Sequence, residues 1–163
     1  MKILSMKTTI FLGAMLSLLV CLMFTGCSNS ETNSTSRGLT DFAHIEEEYL
    51  ATIDSLNWPD GITLPDKLED EDTGASFQVG YGETRASYLW AYSWMKEWLD
   101  TYNTDPERAE KALEELEKAF DMPYMGIDRC DDATRNYLRE NIDKAKLGDP
   151  SGFTESIRAN YAN

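Results

Sequence analysis

His44 is the single histidine of the chain, and Glu47 and Glu48 stand three and four residues beyond it, so a helix would gather an imidazole and two carboxylates on one face. Zinc chemistry needs three or four such ligands at defined spacing. No second histidine and no Cys-His spacing supply them, and the expected outcome is a solvated polar face. The same shortage removes Ser-His-Asp catalysis and most acid–base designs. The run Glu69-Asp70-Glu71-Asp72-Thr73-Gly74 invites hard cations, but counting Asp70 as position one puts Ala75 at position six and Tyr81 at position twelve. A calcium hand-loop requires Gly and Glu there. Gly80-Tyr81-Gly82-Glu83-Thr84-Arg85 begins like a dinucleotide-binding turn, yet its sixth residue is Arg and no strand-helix-strand unit surrounds it. The two glycines are expected to permit a tight entry into a helix, with Glu83 near its positive end. Cys130, between Arg129 and Asp131 with no histidine nearby, is expected to be a half-buried residue approaching a helix rather than a nucleophile. These residues predict no catalytic group, no metal site and no cofactor.

The aromatic series offers more. Trp90, Trp94 and Trp98 recur every four residues, with Tyr88, Tyr92 and Tyr102 among them, and such ladders can stack on sugar rings. At 100° per residue, Ser93, Lys96, Glu97 and Asp100 gather on a narrow polar stripe. Trp94 and Trp98 fall on the wide apolar face, with Trp98 near its middle, and are expected in the core. Trp90 borders the stripe and is the one candidate ligand contact.

The elements that position these residues follow a helical period. The first helix starts at Thr40 or Asp41, carries Phe42, Ile45, Tyr49, Ile53 and Leu56 on one face, and ends at Asn57-Trp58-Pro59-Asp60-Gly61. An acidic loop and a Gly-punctuated extended stretch over 76–82 lead to a second, central helix, about Glu83 to Tyr102. The third opens at Asp105-Pro106 and is stopped by Met122-Pro123. Asp131 or Asp132 caps a fourth, whose last turn holds Lys144 and Lys146 before Gly148. Asp149-Pro150 opens a short fifth. Sustained strand alternation is missing from the pattern. The expectation is an all-α domain over 39–163, an antiparallel bundle of four main helices plus a short C-terminal one, with one irregular acidic and Gly-containing connection.

Ahead of this domain, Lys2 and Lys7 precede an apolar stretch from Ile10 to Phe24. Its length suits a signal-peptide core better than the roughly 18 or more residues of a membrane span. Phe24-Thr25-Gly26-Cys27 resembles the lipobox of bacterial lipoprotein precursors, with Phe24 where Leu is usual. That resemblance implies a signal peptide over 1–26, removed so that Cys27 becomes the lipid-bearing N-terminus. Residues 27–38 then form a polar tether. It further implies an extracytoplasmic domain attached to the membrane through lipid on Cys27. Multiple acyl chains suffice for stable anchoring. Gly80 to Leu99 faintly resembles segments of uncharacterised exported actinobacterial proteins, which bring no activity with them.

Thirteen basic residues stand against 29 acidic ones after Cys27, a net charge of −16 for the mature chain. Such a field opposes nucleic acid and anionic headgroups. With Cys21 in the signal and Cys27 lipidated, Cys130 would be left without an intrachain disulfide partner. The sequence thus points to a membrane-anchored helical interaction module on the extracytoplasmic side, binding an envelope protein or a wall component such as glycan without catalysis. The alternative is a carboxylate-dependent enzyme acting on wall glycan, which requires two acids at roughly 5–10 Å in an aromatic-lined cleft.

Overall fold

The computed structural model describes residues 38–69 and 71–160. Contacts divide the chain into a unit of Met1–Thr35, which lies outside the described residues, and a unit of Ser36–Asn163, which carries every element below. The expected signal peptide, Cys27 and all of the expected tether but Gly38 therefore lie outside the described residues. Five α-helices make up an all-α fold: α1 (Phe42–Ser55), α2 (Tyr81–Thr101), α3 (Pro106–Glu117), α4 (Asp132–Lys146) and α5 (Ser151–Asn160). Two 3-10 turns, Lys118–Asp121 and Pro123–Met125, join α3 to α4.

The local chemistry of the caps explains most boundaries. Asp41 accepts from His44 N at 3.1 Å, Asp105 from Arg108 N at 3.2 Å and Asp131 from Thr134 N at 2.7 Å, each satisfying an orphan amide of a first turn. Pro106 occupies the first turn of α3, where its missing N–H costs nothing. Gly148 closes α4 with a positive φ of 79°. At Met122 the following proline holds the backbone extended, so the last turn after α3 tightens to 3-10 geometry and stops.

The expected absence of strand pattern needs one small correction. Leu39–Thr40 (β1) pairs antiparallel with Phe77–Gln78 (β2), Leu39 opposite Gln78 and Thr40 opposite Phe77. Two residues per strand are too few to show alternation in a sequence. The pair clips the start of α1 to the stretch that enters α2.

Helix α2 is central, packing on α1, α3 and α5. Its N-terminal half joins Ile45, Tyr49, Ile53, Leu68 and Ala86 in one apolar cluster. Its C-terminal half places Trp90, Trp94, Met95 and Trp98 in a second cluster with Leu116, Leu138, Ile142 and Phe153. Trp98 meets Phe153 edge-on at 5.4 Å and stacks on Tyr102 at 4.6 Å, geometries that aromatic quadrupoles favour.

Two expectations from the helical wheel are overturned here. Trp90, expected beside the polar stripe, is 1% exposed, and Ser93, expected on that stripe, is buried as well. The open side of α2 runs instead through Arg85, Tyr88, Lys96 and Asp100. The cause is hydrogen bonding that hydropathy does not register. Trp90 Nε1 and Trp94 Nε1 both donate to the carbonyl of Asn57, at 2.8 and 3.1 Å, while Trp58 Nε1 donates to Ile53 O at 2.9 Å. Two indoles of α2 and one from the loop after α1 thereby satisfy carbonyls exposed at and just beyond the end of α1. Ser93 Oγ donates to Leu89 O at 2.8 Å, a back-bond that lets a hydroxyl sit in a core.

Candidate functional site

Two concavities among the described residues bear on function. The first is a cleft of about 390 Å³ assembled from α2, the Pro123–Met125 turn, α4 and α5. On α2, Arg85, Tyr88, Ala91 and Met95 lie on one face at spacings of three and four, and the small Ala91 side chain leaves room between the larger ones. On α4, Thr134, Tyr137 and Leu138 line the cleft, and on α5, Ser156 and Asn160 repeat the four-residue step. Tyr124 and Met125 complete the lining, and Tyr124 meets Tyr88 edge-on at 5.6 Å.

Among the described residues, Arg85 is the one charged side chain in this lining. Its Nε lies 3.3 Å from Glu71 Oε1, and Glu71 is also held by the Tyr81 hydroxyl, which donates to it at 2.7 Å. Tyr88 and Tyr137 are 45% and 40% exposed, large rings kept at the surface rather than withdrawn into the core. Partial burial pushes the Tyr88 phenol above its ordinary pKa, so it is a neutral hydroxyl at physiological pH. Aromatic walls, a sulfur-containing apolar floor and a few polar groups match the general composition of binding sites, and the volume falls within the roughly 300–1,000 Å³ such sites span.

The second concavity, about 460 Å³, lies over Trp98 and Tyr102 and is edged by Glu110, Glu114 and Glu117 of α3 and by Lys146 of α4. Lys146 pairs with Glu117. All three acids are exposed to water rather than enclosed in the dry, aromatic-lined cleft that a general acid of glycan hydrolysis would occupy.

The residues singled out by sequence are not brought together. His44 Nε2 lies 3.3 Å from Glu48 Oε1, but Glu48 spends its carboxylate on α2, accepting from Gly80 N at 2.7 Å and Gly82 N at 3.2 Å, while Glu47 points to solvent. Among the described residues no three His, Cys, Asp or Glu side chains converge as metal ligands. In the acidic run, Glu69 pairs with Lys67 at 3.0 Å, Asp72 accepts from Gly74 N at 2.9 Å, and Asp70 lies outside the described residues. The Gly80-Tyr81-Gly82 turn holds no phosphate cradle. Glu48 already takes two of its amides, and Arg129 covers Gly80 while pairing with Glu83 at 2.7 Å. Cys130 is half-buried, as expected, with Sγ 3.5 Å from Met125 Sδ. Trp90 is sealed under Asn57 and presents no ring face to a ligand, which corrects its nomination as a contact.

Tyr137 and Ser156 were passed over by sequence reasoning, which met Arg85 only in the rejected dinucleotide-like turn and Tyr88 only as a member of the aromatic series. Tyr137 lies on α4 between Thr134 and Leu138. Its proximity to Thr134 and Leu138 at helical spacing was visible, but that α4 would open toward Arg85 was not.

The chain matches no family model, no curated protein and no solved structure. Among the described residues no helix is long and apolar enough to cross a membrane.

Proposed function

We propose that this chain is a lipid-anchored, extracytoplasmic helical interaction module, held at the membrane through Cys27, that binds a protein partner or wall component without catalysis. The observation that carries this reading is the cleft beside α2. Among the described residues it offers two exposed tyrosines, an apolar floor and one cation, and its lining there holds no carboxylate, imidazole or thiol to perform chemistry. In the same reading α1 to α4 form an antiparallel bundle with α5 packed across it. The lipobox-like Phe24-Thr25-Gly26-Cys27 and the polar tether behind it support the anchoring. The glycan-hydrolase alternative would have to use the acids over Trp98 and Tyr102, whose solvation argues against that role.

The test has two arms. Cys27→Ser in the full-length chain should move the protein out of the detergent phase while leaving its helicity intact. Tyr137→Ala should abolish co-sedimentation of the detergent-solubilised, full-length protein with detergent-insoluble envelope material while the melting temperature stays near wild type. Unchanged partitioning of the Cys27 variant contradicts the anchor. Unchanged co-sedimentation of the Tyr137 variant contradicts the cleft.

A further inference from the structure

Resting on the reading of this cleft as a binding site, we infer that its occupant is the free C-terminus of a polypeptide with an apolar last residue, whose carboxylate pairs with Arg85. Three observations support it.

The first is charge. In a domain with a large excess of acids, Arg85 is the one ionic group among the described residues that line the cleft. Glu71 lies 3.3 Å from its Nε, and no carboxylate among the described residues accepts a hydrogen bond from its two terminal nitrogens. Those nitrogens form the planar fork that binds a carboxylate through two parallel hydrogen bonds.

The second is shape. Arg85 and Met95 lie ten residues apart on α2, so the α2 wall runs for about 15 Å. That accommodates about four extended residues. Beyond the guanidinium the lining turns apolar at Ala91, Met95, Met125 and Leu138, which suits an aliphatic or aromatic side chain next to the terminal carboxylate.

The third is the polar remainder. Thr134, Ser156 and Asn160 supply hydroxyl and amide groups to the lining beside its apolar residues. The amides of a bound peptide hydrogen-bond such groups, whereas a fatty acyl chain lying there would displace their water and return nothing. This favours a peptide terminus over a free acyl anion with the same headgroup.

The test uses full-length protein in lipid nanodiscs and isothermal titration with acetyl-Gly-Ala-Val-Leu bearing a free carboxylate, its C-terminally amidated twin, and octanoate. The free peptide should bind at least about tenfold tighter than the amide, the usual weight of a charged hydrogen-bonded pair. Arg85→Gln should erase that difference by weakening the free peptide alone, since the two changes remove the same contact. Ser156→Ala should weaken both peptides by similar factors. Equal affinity of free and amidated peptide in the wild type overturns the inference but leaves the cleft as a binding site. Octanoate binding as tightly as the free peptide overturns the peptide assignment in favour of an acyl anion. Absence of binding by all three probes also overturns the inference. The envelope co-sedimentation of the Tyr137 variant then decides separately whether the cleft binds anything.

Discussion

Gly82→Ala should unfold or severely loosen the domain, although at an ordinary helical position the same change would stabilise by up to about 1 kcal/mol. Gly82 sits where α2 crosses α1 at backbone contact: a Cβ there would stand 1.8 Å from Ile45 O, 2.8 Å from Ile45 C and 2.9 Å from Tyr49 N. Ordinary contact begins near 3.4 Å, so α1 would have to retreat by about 1.6 Å, and the obstacle is helical backbone rather than a flexible side chain. Overpacking of a well-filled seam costs about 1–3 kcal/mol. The retreat also strains the bonds from Gly80 N and Gly82 N to Glu48, charge-assisted contacts of about 1.5–3 kcal/mol apiece when lost outright. Together these place the expected loss at about 3–5 kcal/mol, a large share of a typical domain's stability. Urea titration of the full-length chain, followed by circular dichroism, measures it. Gly38→Ala serves as the control, since nothing lies within 4 Å of a Cβ there. A Gly82→Ala midpoint at or above wild type would refute the close approach of α1 and α2.

Trp90→Ala and Trp98→Ala should each cost about 3–5 kcal/mol in denaturant titrations, because both indoles are buried; a mild Trp90 effect would restore the wheel-based expectation of a surface residue. Trp90→Phe should cost much less than Trp90→Ala, since Trp94 still donates to Asn57 O, and equal losses would show that the shared carbonyl matters more than packing. Hydrogen bonds from Thr134 hold the Asp131 carboxyl below its ordinary pKa, and bonds from Ser151 do the same for Asp149. Both contributions are present at neutral pH and fade as pH falls through the lowered folded-state pKa, so Asp131→Ala should destabilise at neutral pH and converge on wild type in strong acid. A pH-independent gap between the two urea midpoints would contradict that cap.

Much of the fold was legible because its signals are local. Asp105-Pro106, Asp131 and Gly148 each mark a helix end by side-chain or backbone chemistry confined to a few residues. What was not legible depends on distant partners. Helix α2 begins at Tyr81 rather than Glu83 because Glu48, over 30 residues earlier, supplies its cap. Trp90 is buried because Asn57 offers a carbonyl that a helical wheel does not contain. The cleft was missed for the same reason. Its walls come from four separated segments, each with an ordinary helical pattern, and only their packing brings Arg85, Tyr137 and Ser156 to one cavity.

The central claim is that the cleft beside α2 is the surface this protein uses. A photo-crosslinking amino acid placed at position 137 in the full-length chain tests it in intact cells, with the same group at Asp54, an exposed position on α1, as the reference. The account predicts one discrete adduct from position 137, absent from position 54 and lost when Arg85→Gln is added. No adduct at 137, or the same adducts from both positions, would contradict it.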